Sequence, residues 1–341
     1  MELHPIFKLR SKPTGEIIQL LESVTLGTDG AKYKHLDTRS RILESDDPLF
    51  ISLERHDKPL GNITFLRRGS NWYLRYFAFD KWLQAGGNKR TKGEGMLKKN
   101  VEQLFLNAMH GEYGEKVNYF YAYIDPKNTK SLWFAENFGF EPISRFATQT
   151  FSRSRPKKRV DVIKSNDWNE VKQVVVDNYG GHEFFNDHHT SKPPFYLVKD
   201  DKFETIAFCK MTEVTWEIER LPGRFGGLLT KIIPFIPVLR KIIHPKEHRF
   251  LVPDAVYVKD NDPQLLEDFF ETILNIEKRN LIIWWVDKKE PLFKKVSTSL
   301  KWGILHKMIG VSEVYLMVRK NPQSDRQLSG GPAYAVGFDF V

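Results

Sequence analysis

The stretch Arg90-Thr91-Lys92-Gly93-Glu94-Gly95 has the residue types and spacing best suited to chemistry in this 341-residue chain. An aromatic run with strand character, Trp72 to Phe79, precedes it, and a helical pattern from Met96 to about His110 follows. Strand, glycine-rich turn and helix in that order build an anion site. Gly93 and Gly95 permit backbone angles that a side chain would forbid, and they let a ligand approach the main chain closely. The first N–H groups of the helix have no partner within it, and the aligned peptide dipoles add positive potential there. A phosphate suits such a place, and Arg90, Lys92, Lys98 and Lys99 add charge nearby. Taken alone, these six residues fit an ordinary solvated turn equally well.

A second group of residues follows downstream. After a strand pattern from Val117 to Ile124 come Asn128, then Ser131 three residues on, an amphipathic helical stretch, and Gly139-Phe140. The two stretches in this order resemble the Arg/Gln-x-x-Gly-x-Gly/Ala loop and the following helix of the GCN5-related N-acetyltransferases, over about residues 40 to 145. The resemblance implies acetyl-coenzyme A as co-substrate and no metal. Its pyrophosphate would lie on Arg90, Thr91, Lys92, Gly93, Glu94, Gly95 and Met96. Its pantetheine arm would bond to the main chain of Phe77, Ala78 and Phe79, in a V between two splayed strands. Asn128, Ser131 and Phe134 would complete the cofactor site. The chain departs from the family at one place. Many members carry a Tyr four residues before the Gly to protonate the leaving thiolate, and here that position is Ala135.

A general base must reach the acceptor amine with a suitable pKa. The run Trp72 to Phe79 has no carboxylate; Asp80 follows it directly, and Asp125 ends the next strand. Tyr76, Tyr121 and Tyr123 offer a water relay. Asp80 and Tyr123 are the catalytic candidates, beside the simpler reading that each is structural and that the neutral amine attacks with help from water.

The elements that must position these groups follow from pattern. Thr14 to Val24 has apolar residues at helical spacing. Gly27 to Asp46 reads as polar and irregular. Leu49 to Glu54, Leu60 to Arg67 and Trp72 to Phe79 read as an antiparallel meander with short turns. The basic run Ser152 to Arg159 reads as a charged linker. Beyond it the order repeats: strand at Val160 to Ile163, helix at Asp167 to Tyr179, strands at Phe195 to Lys199, Thr205 to Glu213 and Leu251 to Lys259. A helix at Pro263 to Glu277, a strand at Leu281 to Val286, a helix at Pro291 to Leu300 and strands at Val311 to Arg319 and Tyr334 to Phe340 complete it. The expected fold class is α/β (α+β): a mixed, mostly antiparallel twisted sheet with flanking helices, the acyl-CoA N-acyltransferase fold in two copies. Residues 1–152 would bind the cofactor. Residues 153–341 would lack the phosphate loop, because Asp260, Asp262 and Pro263 stand in its place: two carboxylates repel pyrophosphate and a proline removes a donor.

Composition bounds the rest. The net charge is +9, spread evenly: residues 1–150 carry 22 Lys and Arg against 18 Asp and Glu, the remainder 30 against 25. A basic tail for nucleic acid is absent, and a mildly basic protein with an anionic ligand is the expectation. One cysteine, Cys209, excludes an internal disulfide and a cysteine-based zinc site. Neither a signal-peptide core nor an apolar run long enough to span a bilayer is present, so a cytoplasmic location is expected. Leu221 to Pro245 is apolar and basic, interrupted by Pro234 and Pro237. Three readings stand for it: broken helices packed on the domain, a cap on a substrate channel, or contact with a membrane interface. The functional reading is an N-acetyltransferase acting on a primary amine of a small molecule or peptide. The alternative is a coenzyme-A-binding sensor without catalysis, or an interaction protein at a membrane surface.

Overall fold

The computed structural model describes residues 6–56, 58–79 and 92–340, with main chain only at residues 79, 92–97, 338 and 340. Its strands are β1 (Phe7–Arg10), β2 (Lys32–His35), β3 (Pro48–Arg55), β4 (Lys58–Arg68), β5 (Asn71–Phe79), β6 (Tyr119–Ile124), β7 (Glu141–Ser152), β8 (Ile163–Ser165), β9 (Phe195–Lys199), β10 (Thr205–Arg220), β11 (His248–Val258), β12 (Leu281–Asp287) and β13 (Ser312–Lys320). Among the described residues all of them join one sheet, in the order β1-β3-β4-β5-β6-β13-β7-β12-β11-β10-β9-β8, with β2 paired to β10. The fold class is as expected: mixed, mostly antiparallel, flanked by helices.

The sheet reads the same from both ends. Its two parallel pairs are β5 with β6 and β11 with β12, each the fourth pairing counted from its own end of the strand order. The neighbours at the centre are antiparallel, β6 with β13, β13 with β7, and β7 with β12. The last strand of the first half, β7, thus bonds to β12 of the second, and β13 returns to β6 of the first. This exchange closes the sheet across its middle, so the halves share a hydrogen-bonded seam as well as packed side chains.

Helices bury apolar stripes on the faces. In Pro263–Glu277 the buried Leu266, Phe269, Phe270, Ile273 and Leu274 recur at the three- and four-residue spacing of one helix face. Pro263 sits in its first turn, where no N–H is needed, and Asp262 caps it by accepting from the Gln264 N–H. In Lys92–Met109 the buried Val101, Leu104, Phe105, Ala108 and Met109 pack with Phe65, Trp72 and Phe120 of the sheet. The strand β12 is apolar on both faces, as a central strand covered by helices on each side must be.

Several elements differ from the sequence pattern. Gly27 to Asp46 is not irregular: it holds β2 and a helix at Thr38–Leu43. β2 has no apolar alternation because its partner lies in the other half, with His35 opposite Trp216 on β10. That pairing also extends β10 to Arg220, well past Glu213. The helix expected from Met96 is already formed at Lys92, so Gly93 and Gly95 lie in its first turns. Tyr334 to Phe340 is not a strand. Ala333 makes an isolated bridge to Glu183, and Gly337–Phe340 forms a 3-10 turn. There Arg68 holds the buried Asp339 carboxylate at 2.5 and 2.8 Å, which pulls the chain out of an extended course. The basic run at Ser152 to Arg159 is a strap rather than a free linker. Arg153 reaches Glu267 at 3.0 Å and Glu271 at 3.4 Å, and Arg159 reaches Glu271 at 3.3 Å.

Candidate active site

The site begins where β5 and β6 part. Their parallel ladder joins only Asn71 to Tyr119, Trp72 to Phe120 and Tyr73 to Tyr121. From Leu74 onward β5 stays with β4, while Ala122 to Ile124 stay with β13. The cause is local. The register of β5 on β4 slips between Leu74 and Tyr76, leaving Arg75 as an extra residue. A bulge of this kind bends its strand and increases the twist. The main chain of β5 from Arg75 to Phe79 therefore lines one arm of a V, with backbone groups turned toward the gap. The helix Lys92–Met109 leaves the same, carboxyl-terminal end of β5 before the chain returns as β6, which is where open sheets of parallel pairs bind ligands.

The structure brings several of the expected cofactor residues to this V. Phe77 is partly exposed, and its ring centre lies 4.0 Å from that of Phe134, which spans the gap from the helix Thr129–Asn137. Ala78 is buried on the side of β5 that faces the first helix, Gly15–Glu22, among Ile17, Ile18 and Leu21. Asn128 caps the helix Thr129–Asn137, accepting from the Ser131 N–H at 3.1 Å. The Asn-to-Ser spacing singled out in the sequence is thus a capping contact. Phe79, Lys92, Gly93, Glu94, Gly95 and Met96 have their main chain in β5 or in the first turns of the helix. Arg90, Thr91 and the catalytic candidate Asp80 lie outside the described residues. Ala135 is buried in the core beside Phe138 and Phe140, while its neighbour Phe134 faces the V.

Tyr123, the other catalytic candidate, is half-buried and donates its hydroxyl to the Tyr334 carbonyl at 3.1 Å. Burial first, then the neighbouring Tyr121 and Asp339, push its pKa well above 10. A phenol held this way keeps its proton, and that proton is already engaged. Asp125 accepts from Thr28 at 2.5 Å and from the Lys127 N–H at 2.8 Å, which fixes the turn before Asn128.

His35, which the sequence did not mark, and Tyr76 both lie near Arg75, where β5 bends. His35 on β2 lies beside the stacked rings of Tyr33 and Trp216, with ring centres 5.7 and 5.4 Å away. Its Nε2 is buried without a hydrogen-bond partner among the described residues, and so is the hydroxyl of Tyr76 on β5. Buried polar atoms left unsatisfied are uncommon and call for a ligand or water. Burial, then Arg75 and Arg41, press the His35 pKa down to about 3, so its imidazole is neutral and serves as an acceptor rather than a strong base. No sequence signal marked His35, because its burial depends on β2 reaching across to β10.

This neutrality has a measurable consequence. His248, also buried, is held down to about 4 by burial and His244. In the unfolded chain both take up a proton near 6.5; in the fold they do not. Below that pH the unfolded state binds more protons, so stability falls as pH drops from 6.5 toward 4, by about 1.4 kcal/mol per pH unit for each histidine. Urea midpoints taken down this range should show His35→Phe declining less steeply than wild type; an equal slope would mean His35 is protonated in the fold.

The corresponding place in the second half is closed. β11 and β12 pair only at Leu251 with Ile282 before they part. Their gap is filled by the chain's own segment Ala333 to Ala335, where the Ala333 N–H donates to Asp287 at 2.8 Å and the Tyr334 N–H donates to the Glu183 carbonyl at 2.9 Å. The space left beside it, lined by Trp284, Trp285, Val286 and Tyr334, is about 30 Å³, room for roughly one water. At the helix N-terminus beyond β11 the Gln264 N–H already donates to the Asp262 carboxylate. Among the described residues no group of three or more His, Cys, Asp or Glu is arranged to hold a metal ion.

No family model matches the sequence, and no curated protein matches it. Solved structures do. The chain is similar to N-myristoyltransferase from Saccharomyces cerevisiae with bound myristoyl-CoA, with a TM-score of 0.56 and 10% identity over 98% of this chain and 90% of that one. It is similar to a GCN5-related N-acetyltransferase from Sphaerobacter thermophilus, with a TM-score of 0.53 and 12% identity over 95% of this chain and 99% of that one. At such identities the likeness establishes the fold, and it is the acyl-CoA N-acyltransferase fold of the GCN5-related N-acetyltransferases that the two sequence motifs implied.

Proposed function

We propose that this chain is an acyl-coenzyme-A-dependent N-acyltransferase that moves an acetyl group from acetyl-CoA to a primary amine on a small molecule or peptide. The observation that carries the reading is the parting of β5 and β6 after Tyr73 and Tyr121, set beside the helix Lys92–Met109, in contrast to the second half, where Ala333 to Ala335 fill the corresponding gap. We assign the cofactor to residues 1–152 and a supporting role to 153–341, as two copies of one unit; the palindromic sheet supports that division. In this assignment the pyrophosphate lies on Arg90 to Met96, the pantetheine bonds the main chain of Phe77 to Phe79, and Asn128, Ser131 and Phe134 support the far wall. The single, buried and unpaired Cys209 suits a reducing, cytoplasmic setting.

The amine nitrogen attacks the thioester carbonyl carbon. The negative charge passes to the carbonyl oxygen, where main-chain N–H groups of β5 stabilise it. Collapse breaks the carbon–sulfur bond, the pair leaves on sulfur, and the amine proton is lost to water. Ala135 offers no acid for the thiolate, so its proton comes from solvent; the Tyr76 hydroxyl on β5, buried without a hydrogen-bond partner among the described residues, is a phenol that can relay it.

Ala135 also favours a second reading, a protein that binds coenzyme A and transfers nothing. One pair of measurements separates the two. Titration calorimetry with acetyl-CoA and with a long-chain acyl-CoA should show binding in the micromolar to millimolar range of enzyme substrates, and thiol release should then rise when amines are added. Binding with no thiol release across amine classes supports the sensor, and no binding to either thioester removes both readings.

A further inference from the structure

The excursion between β10 and β11 stands apart in charge and in what it exposes. Between Leu221 and Lys246 the sequence has five Lys and Arg and no Asp or Glu. It folds as a helix at Gly226–Ile232, a 3-10 turn at Ile233–Phe235 and a short helix at Leu239–Ile242. The inner side is well anchored. Ile233, Leu239, Ile242 and Ile243 pack on Val214, Phe250 and Val252 of the sheet. A Cβ on Gly226 would meet the Leu221 carbonyl oxygen at 1.7 Å, so the helix starts hard against the strand end. Thr230 ties the same place, accepting from the Leu221 N–H at 3.0 Å and donating to the Gly226 carbonyl at 2.8 Å.

The outer side is apolar. Phe225, Leu228, Leu229 and Ile232 follow the three- and four-residue spacing of one helix face, about a quarter turn round from the buried Gly226 and Ile233. Phe225 is 65% exposed, Leu228 57% and Phe235 82%. Around them stand Arg224, Lys231, Arg240, Lys241 and Lys246, which form no ion pair among the described residues. Arg240, Lys241, His244 and Lys246 line an open groove beside the apolar face; its one carboxylate, Glu247, is already paired with Arg249. A surface anchored on its inner side, with aromatic tips, a rim of cations outside any ion pair and its one carboxylate already paired, has the makeup of an interfacial membrane contact.

We propose that this face, Arg224 to Lys246, binds the surface of an anionic lipid bilayer. Phe225, Leu228 and Phe235 enter the acyl boundary, and Arg240, Lys241 and Lys246 meet lipid phosphates. Among the described residues no helix is long and apolar enough to cross a membrane, so the contact is with one leaflet. Charge selects this occupant over a second copy of the chain: a two-fold contact would set five cations against five.

Co-sedimentation of the full chain with phosphatidylcholine vesicles, with and without added phosphatidylglycerol, tests it. Binding should require the anionic lipid and weaken as salt rises. Each cation near the surface is worth about five-fold in partition, so Arg240→Glu with Lys241→Glu should lower it at least about 25-fold. Phe225→Ser with Phe235→Ser should remove it. Phe203→Ser, at a phenylalanine equally exposed on a different hairpin, should change nothing. Equal binding to neutral vesicles, binding to neither, or self-association blocked by the same variants overturns the proposal. The wild-type comparison decides even where a variant fails to fold.

Discussion

Gly93→Asp weakens acetyl-CoA binding by at least about 100-fold while leaving the fold as stable as wild type or slightly more so. The two effects have opposite signs because they act through different neighbours. Gly93 lies in the first turn of the helix Lys92–Met109. A carboxylate there complements the helix dipole, worth about 0.3–1 kcal/mol, and replaces the residue type least suited to a helix interior after proline. In the assignment proposed above, the same carboxylate adjoins the pyrophosphate. Two unit charges about 4 Å apart at an effective dielectric of about 20 repel by about 4 kcal/mol, or about a thousand-fold in Kd, and partial screening brings the expected loss to the lower figure. Calorimetry beside a urea melt reads both quantities on one sample. Gly93→Asn, of nearly equal size and uncharged, should retain most of the binding, which separates charge from bulk. Undiminished binding by Gly93→Asp would move the phosphate site elsewhere.

Arg68→Met is expected to cost about 3–5 kcal/mol of stability, the range for removing one partner of a buried ion pair. Arg68 on β4 holds Asp339 with two hydrogen bonds, at 2.8 and 2.5 Å, and also donates to the Tyr121 hydroxyl at 2.8 Å. Their side chains are 8% and 0% exposed. Burial opposes the guanidinium charge, and Asp339 outweighs it, so the Arg68 pKa rises well above its usual value. Without Arg68 the Asp339 carboxylate stays buried and unpaired, or protonates. Either course loosens the C-terminal segment that fills the second V. Arg68→Met with Asp339→Leu removes both charges and should recover most of the loss. A double variant no better than the single one would mean that Arg68 acts through packing or through Tyr121 instead.

Much of the fold can be read along the chain because it rests on local rules. The helix Pro263–Glu277 announces itself by its cap, its first-turn proline and its apolar stripe. The helix Thr129–Asn137 does so by Asn128 and Ser131, and β12 by its unbroken apolar run. The two motifs in order were enough to indicate the fold, since each depends on residues within a few positions of one another. The bulge at Arg75 could not be read, because its register is defined only against β4. Nor could β2, whose four residues, Lys32-Tyr33-Lys34-His35, show no apolar period and become a strand only on β10.

The residue order of this protein therefore determined most of its elements, its charge, its lack of an internal disulfide and the two motifs that indicate the fold. Only the tertiary structure decided how the last strands exchange between halves, which V-shaped gap the chain's own C-terminal segment fills, and that the His35 Nε2 and the Tyr76 hydroxyl are buried without hydrogen-bond partners among the described residues. The physical reason is distance along the chain. Capping, periodicity and glycine freedom are settled by near neighbours, whereas strand pairing, plugging and desolvation depend on residues up to 271 positions apart, as Arg68 and Asp339 are.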